Sequence, residues 1–557
     1  MSRRDVPAPS ARRGIERMRG ARVAVWGTGA EGTSVVALAV AMGADITVVD
    51  DRRPGAEAES GGALRGPLGG PAVLAGDAAG GAGGADGSGR GAGGVGGAQR
   101  FGGAGGARHS GAGGSSGSGH AGDAGGSRAG GGAGGPRSPA VLADGGFDVV
   151  VRSPGVSRYR PELVAAAKNG AVVTTLTALW LEDFGDGAVL AVTGSKGKTT
   201  TAMLAAAALR AAGRRVAVAG NMGRPLAELY SEPTDVDTWV VEVSSFQAAE
   251  VTVSPPFGVL TLLAPDHLDW HGSYERYVAD KLNLFAHRPS AVLAVNATDP
   301  AAWAASERFT GRTGYGAAGD VVAVRTAAGG GLEAAVDGQS YLDAGTLERT
   351  AFGLRGEHNL VNLCGALTAT NALAGAVPDA ISLVRALDDT PALPSRLRTV
   401  AVAGDLELVD DALASNPAGA VAALRAFAGR RLCLIAGGAD RGVPFGPLVD
   451  ELLAARPEPA VVVLGPAGHR LSAELLARAP TLTCRPADSV ADAVRLAVSL
   501  LGGFGVVLFS PAAPTPPVAG SYVDRSAAFA TAARVQAAAV AAAGPGPDPA
   551  LPGAAPC

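Results

Sequence analysis

The densest chemical signal in the chain is the run Thr193-Gly194-Ser195-Lys196-Gly197-Lys198-Thr199-Thr200. It follows an apolar stretch, Ala188 to Val192, that reads as a buried strand, and precedes an alanine-rich stretch that reads as a helix. In that setting the backbone N–H groups of a glycine-lysine loop and the helix N-terminus hold phosphate oxygens. The lysine reaches the terminal phosphates and a hydroxyl meets Mg²⁺. The strict pattern has four residues between the glycines, whereas here there are two. The loop is expected to bind a nucleoside triphosphate.

Further candidates lie downstream. Glu242, in Glu242-Val-Ser244-Ser245-Phe246-Gln247, stands at a predicted strand end, where the second metal-binding acid of a phosphoryl-transfer site sits. An ordinary edge acid is the alternative reading. Pro265-Asp266-His267-Leu268-Asp269-Trp270-His271 packs two of the seven histidines and two acids into seven residues, a composition suited to Mg²⁺ with a histidine completing the shell. The chain has only four lysines, Lys168, Lys196, Lys198 and Lys281, against 47 lysines and arginines in total. A lysine retained under that bias is a candidate for chemistry that arginine cannot do. Lys281 can add CO₂ as a neutral amine and become an anionic, metal-binding carbamate. Gly27-Thr28-Gly29 to Gly32, between two predicted strands and about 18 residues before Asp50, suits a diphosphate but is weak evidence alone. Asn359 and Asn362 at a predicted helix start suit ribose or base contacts, with helix capping as the alternative.

These residues need a scaffold of several units. A chain of 557 residues suits three domains. The glycines are concentrated, with 34 of 83 between Gly61 and Gly135, and the fragment PAVLAGD at Pro71 recurs as PAVLADG at Pro139. A disordered insert over 55–138 is expected, with order resuming at Phe147, and disordered tails over 1–20 and 544–557. The remainder alternates apolar strands with Ala/Leu-rich helices, an α/β pattern divided at 21–186, 187–393 and 394–543. Net charge −4 argues against a nucleic-acid binder. Four cysteines without a CxxC pair exclude a disulfide framework. Neither a signal peptide nor an apolar run of 18 residues is visible, so a cytoplasmic location without membrane contact is expected.

Eight ordered motifs, TGSKGKTT, EVSSFQ, PDHLDWHGSYERYVADK, LRGEHNLVN, LPSRL, VDDALASNP, AGGADRG and SPAAPTPPVAGSYVDRSAAF, resemble the Mur ligases of peptidoglycan synthesis. The nearest is the MurD type, which adds glutamate to UDP-N-acetylmuramoyl-L-alanine. The resemblance covers all but the insert and the tails. It implies a Rossmann-like N-terminal domain for the UDP moiety, a central P-loop ATPase α/β domain and a C-terminal Rossmann-like α/β domain that delivers glutamate. By resemblance, Gly27, Thr28, Gly29, Asp50, Ser153, Pro154, Gly155, Asn221 and Ser244 bind the UDP substrate. Gly194, Ser195, Lys196, Gly197, Lys198, Thr199, Thr200, Asn359, Asn362, Arg396 and Asp411 bind ATP. Thr199, Glu242, His267 and Lys281 as a carbamate hold two Mg²⁺ ions, and Lys198, Glu242, His267 and Lys281 are catalytic. Ser415, Arg441, Thr515 and Tyr522 bind glutamate. A monomer is the family expectation.

Departures bear on the amino acid. The D-glutamate-adding pattern Asp-Ser-Lys-Ala-Thr-Asn is here Asp411-Ala412-Leu413-Ala414-Ser415-Asn416, a lost cation opposite an anionic substrate. Pro-His-Arg is here Pro394-Ser395-Arg396, and a lysine after the double glycine is Arg441. These changes favour the branch that adds L-glutamate and relies on a separate epimerase, with D-glutamate as the alternative. A folate-type polyglutamate ligase would lack the N-terminal block. A nucleotide-dependent dehydrogenase would leave Lys198, Glu242 and His267 idle, and an inactive precursor sensor would not need an intact ATP site.

Overall fold

The computed structural model describes residues 13–51, 136–231 and 235–543. Four sheets carry the architecture. In the first, all parallel, the strands run in the order Asp45–Val49, Arg22–Trp26, Val149–Arg152, Val172–Thr174. The second has six parallel strands: Arg312–Tyr315, Val292–Asn296, Phe257–Leu260, Val189–Thr193, Thr238–Glu242, Val216–Gly220. The third is a small antiparallel meander, Val322–Thr326, Leu332–Val336 and Gln339–Asp343. The fourth places the antiparallel edge strand Arg398–Ala403 beside five parallel strands: Leu406–Asp410, Gly505–Phe509, Leu432–Gly437, Ala460–Leu464 and Cys484–Ala487.

The second sheet positions the site. Its central strand Val189–Thr193 is buried at all five residues, as an unalternating apolar run must be when helices cover both faces. From it the chain fills the sheet first on one side (Val216–Gly220, Thr238–Glu242) and then on the other (Phe257–Leu260 onward). The carboxyl ends of Val189–Thr193, Thr238–Glu242 and Phe257–Leu260 therefore open a crevice at the point where the strand order reverses, where α/β sheets bind ligands. Helix Lys198–Ala211 leaves this crevice with Ala205 to Ala208 fully buried, packed in one core with Leu360, Leu363 and Leu367 of helix Glu357–Ala374.

Three sequence expectations are corrected. The N-terminal tail was expected to be disordered through residue 20, but Arg13–Glu16 is a helix. Its Gly14 and Ile15 N–H groups donate to the buried Asp183 carboxylate at 2.5 and 3.1 Å, and Ile15 and Met18 join the core. The insert was expected to run to 138. Instead Arg137 bridges Val49, and the second copy of the repeated fragment begins as the 3-10 helix Pro139–Leu142, with Leu142 in a core beneath the first sheet. Residues 55–135, 1–12 and 544–557 lie outside the described residues. The meander and the hairpin Arg398–Asp410 were not expected, because their strands are short and partly exposed and so carry a weak apolar period.

Asp183 also accepts from the Tyr230 hydroxyl at 2.7 Å, so one carboxylate anchors the N-terminal helix to two other elements. Replacing Asp183 with Ala leaves buried N–H groups unpaired and should cost about 1–3 kcal/mol by denaturant unfolding. Tryptic cleavage at Arg17 and Arg19 should become faster than in the parent protein.

Candidate active site

The glycine-lysine loop leaves strand Val189–Thr193 with Gly194 at φ 149° and Gly197 at φ 88°, conformations that L side chains resist. Both glycines also sit too close for a Cβ: one at Gly194 would overlap the Thr261 hydroxyl, and one at Gly197 would press on Asn362 Oδ1. Lys198 Nζ folds back onto the carbonyls of Gly194 (3.1 Å) and Ser195 (3.3 Å), and Lys281 Nζ donates to the same Gly194 carbonyl at 3.0 Å. Ser195 is committed to the scaffold. Its hydroxyl donates to the Ala264 carbonyl, accepts from the Ala264 N–H, and bonds the Tyr277 hydroxyl.

Around the loop, cations outnumber acids. Burial pushes the Lys198 amine down, with Glu242 opposing the shift. Burial pushes Lys281 well below its ordinary value, reinforced by Lys198 and opposed by Asp266 and Glu242. Arg396 is likewise lowered by burial, with Glu242 and Asp411 opposing. Asp266 shows the reverse balance: burial works to raise it, but Lys196, His267, Lys198 and Lys281 together bring it below its ordinary value. Lys196 pairs with Asp266 at 3.5 Å and reaches Ser415 Oγ at 3.3 Å. Glu242, buried at its strand end, accepts from Asn221 Nδ2 on Oε1 at 2.9 Å, while its buried Oε2 has no hydrogen-bond partner among the described residues.

The acid-histidine run at 265–271 divides, with Asp266, His267 and Asp269 on one cleft and His271 turned away from it. His267 takes a left-handed conformation, φ 52°, at the start of the short helix Leu268–His271. His271 turns into the core, with Nδ1 at 2.7 Å from Asp280 Oδ2 and Nε2 at 3.0 Å from Ser245 Oγ. Asp269 stays at the rim of the cleft described below. Burial lowers His267 to about 4 against the pull of Asp266, so its imidazole is neutral near pH 7. No three His, Cys, Asp or Glu side chains come together as a metal group among the described residues.

The segment before the fourth sheet reaches back to the loop. Ser395 and Leu397 both have positive φ, 55° and 48°, and between them Arg396 Nη2 donates to Thr199 Oγ1 at 2.9 Å. Asp411, raised to about 7 by burial and held back by Ser510 and Arg396, accepts from Ser510 Oγ at 2.7 Å. Asn362 Oδ1 accepts from Thr201 and Nδ2 donates to Asn359 Oδ1, so the asparagine pair sits against Gly197. Asn359 Nδ2 in turn donates to the Arg355 carbonyl at 2.7 Å, and no side chain caps this helix N-terminus.

A cleft lies between Asp266, His267, Asp269 and Ser415 on one side and Ala439, Asp440, Arg441, Phe445, Ala512, Ala513 and Pro514 on the other. Arg441 faces into this cleft, and its charge acts on His267. Thr515 Oγ1 is buried without a hydrogen-bond partner among the described residues, and Tyr522 is 38% exposed at the start of the last helix.

At the first sheet, Thr28 Oγ1 donates to Asp50 Oδ2 at 2.7 Å, and Gly27 packs so closely on Ser153 that a Cβ would overlap its hydroxyl. Pro154 and Gly155 form the turn after strand Val149–Arg152. These residues form a group separate from the loop. Ser244, assigned to the same substrate, is spent in a capping box with Gln247. Sequence reasoning missed three side chains here. Arg152, fully buried, pairs with Glu250 and donates to the Phe246 carbonyl. Glu31 is raised to about 7 by burial against the pull of Gln247 and Arg152. Arg470 braces the 439–445 loop through Asp440 and the Val443 carbonyl. Their one sequence signal was proximity to a glycine motif.

Residues 192–370 match the family model described as the Mur ligase middle domain. The UDP-N-acetylmuramoyl-L-alanine–L-glutamate ligase of a Micromonospora species is 38% identical over 71% of this chain and 86% of its own length. The enzyme of the same name from Xanthomonas euvesicatoria pv. vesicatoria is 36% identical over 71% of this chain and 84% of its own. Among solved structures, the MurF ligase of Thermotoga maritima in complex with ADP aligns over 70% of this chain and 95% of that one, with TM-score 0.49 and 18% identity.

His358 is missed as well. Burial, aided by Arg396, lowers it to about 4. An unfolded histidine titrates near about 6.5, so between these values the folded state binds fewer protons than the unfolded one. Stability should therefore be greatest above pH 6.5 and fall as pH drops toward 4, a window that His267 shares. In thermal melts across that range, His358→Gln should show a shallower loss.

Proposed function

The chain belongs to the Mur ligase family, and from that premise we propose that it joins glutamate to UDP-N-acetylmuramoyl-L-alanine at the expense of ATP. The observation that carries this reading is the meeting, around one glycine-lysine loop, of Glu242 and Asp266 with Lys196, Lys281 and the Arg396 guanidinium. L-Glutamate is the favoured amino acid, because the relatives named above carry it in their names and Leu413 stands where the D-glutamate pattern has a lysine. We further propose the three-part division at 21–186, 187–393 and 394–543, for the UDP moiety, ATP and glutamate in turn, and action as a cytoplasmic monomer upstream of an epimerase. No helix among the described residues is long and apolar enough to cross a membrane.

In the proposed reaction the alanyl carboxylate attacks the γ-phosphorus of ATP in line, the bond to the β-phosphate oxygen breaks, and ADP leaves. The glutamate amine then attacks the acyl phosphate carbon. An amide forms, phosphate departs and the amine sheds a proton. Two anions must meet in the first step, so fixed positive charge carries the rate. Lys198 and Lys196 supply it from the loop, and Arg396 orients Thr199. Asn221 holds Glu242 through one oxygen, leaving the other for a cation.

The donor set fits Mg²⁺, since Glu242 offers a buried, unpartnered oxygen at the crevice. Thr199, Glu242, His267 and Lys281 as a carbamate would hold it. The ion supplies neutralisation of phosphate charge and nothing is asked of it beyond that. Lys281 suits carbamate formation because burial and Lys198 favour its neutral amine, the form that adds CO₂.

Phosphate release with ATP, Mg²⁺ and UDP-N-acetylmuramoyl-L-alanine should depend on L-glutamate, with the amide confirmed by mass. Turnover with D-glutamate alone reverses the choice of enantiomer, and turnover with neither removes the ligase reading. In a second measurement, protein equilibrated with ¹³C-bicarbonate should show a carbamate carbon resonance that Lys281→Arg lacks. Activity should fall by about 10²-fold or more in that variant, as when a charged group acting in the transition state is removed.

A further inference from the structure

We propose that Arg525 is the cation that receives the side-chain carboxylate of the incoming amino acid and so sets the preference for an acidic residue. The inference rests on the reading of the chain as a glutamate ligase.

Arg525 lies in the first turn of helix Tyr522–Ala543 and is 6% exposed. Nη2 spends its protons on the scaffold, donating to the carbonyls of Ala412 (2.9 Å) and Ala513 (3.2 Å). It thereby ties the 411–416 loop to the 510–515 loop. Nε and Nη1 are buried and have no hydrogen-bond partner among the described residues, which leaves three of five N–H groups unspent. Nor is the charge matched by a dedicated acid. Asp410 acts on it, but Asp410 Oδ2 accepts from Ser526 and Oδ1 from the Ala412 N–H, and Arg525 forms no ion pair among the described residues. Burial lowers the guanidinium to about 10, so it remains charged at neutral pH. A buried guanidinium with unspent donors is costly unless an anion meets it.

The unspent edge lies behind the cleft wall, beside Gly438 and Ala513. Gly438, at φ 152°, carries no side chain beside it; a Cβ there would sit 3.1 Å from Arg525 Nη1 and overlap the Pro514 carbonyl. The flanking residues Ala439, Ala513 and Pro514 line the cleft that Arg441, Ser415 and His267 share. Thr515, next in the chain, brings a second buried and unpartnered polar atom.

On this assignment Arg441 on the cleft and Arg525 behind its wall divide the two carboxylates of a glutamate. Arg441 lines the cleft together with Asp266 and His267, whereas Arg525 is held behind its far wall on the Ala412 and Ala513 carbonyls. The α-carboxylate shares a carbon with the attacking amine and must stay near the reacting end, with Arg441. The side-chain carboxylate lies two methylenes further out, and Arg525 receives it. On this assignment Arg525 takes over the role of the cation missing at Leu413.

The test compares glutamate with glutamine, which differ in that terminal group alone. Products are identified by mass for wild type, Arg525→Lys and Arg525→Gln. Wild type should prefer glutamate strongly. In Arg525→Gln the ratio of kcat/KM for glutamate over glutamine should fall by about 10- to 100-fold, the worth of a charged hydrogen bond, mostly through KM for glutamate. KM for ATP should stay as in wild type, and Arg525→Lys should retain part of the preference. A guanidinium that only ties two loops together would lower both rates alike and keep the ratio, and that result overturns the inference. The ratio is read within one preparation, so a reduced folded fraction cancels. If neither variant is soluble, adding glutamate but not glutamine to the wild type should shift the Arg525 Nε resonance in ¹⁵N spectra; an unmoved resonance overturns it equally. Wild type that does not use glutamate at all would defeat the ligase reading instead.

Discussion

The structure is organised around a cluster of buried basic side chains at the end of one strand. Lys198, Lys281 and Arg396 are lowered by the loss of water around them, and Lys196 lies at the same loop, against Glu242 and Asp266. Such a group would disperse if its members were on flexible chains. Here each is fixed by backbone: Lys198 and Lys281 on carbonyls of the loop itself, Arg396 between two residues in left-handed conformation. The cost is met by packing elsewhere, and its effect is a strongly basic site at the loop.

That constraint explains the odd local choices around it. Left-handed geometry at Ser395 and Leu397 costs about 1–2 kcal/mol each. It aims Arg396 at Thr199 across the boundary between the second and fourth sheets. Lys196 spans the same boundary to Ser415, and Arg355 pairs with Glu407 nearby. The cleft thus has one wall from the residues after strand Phe257–Leu260 and one from the fourth sheet. A change in how the two sheets meet would alter phosphate contacts and the proposed amino-acid contacts together.

Legibility followed periodicity and glycine chemistry. Strand Val189–Thr193, the loop after it and helix Lys198–Ala211 were readable because an apolar run, two glycines and an alanine helix leave few alternatives. Within the 265–271 run, composition says nothing of direction: Asp266, His267 and Asp269 line one cleft, while His271 turns inward to Asp280. The helix at Arg13–Glu16 was invisible for a similar reason, since its anchor, Asp183, lies 169 residues away from Gly14.

By itself the sequence determined the α/β class, the phosphate loop and the family, because each rests on local spacing or on ordered motifs. Only the tertiary structure decided which side chains share an environment. It joined Arg396 to Thr199 and Asn221 to Glu242, withdrew Ser195 and Ser244 into the scaffold, and left Arg525 with donors to spare beside Gly438. Contacts between residues more than a hundred positions apart follow from how sheets pack, and the burial that lowers the pKa of Lys281 and His267 exists only once they have packed.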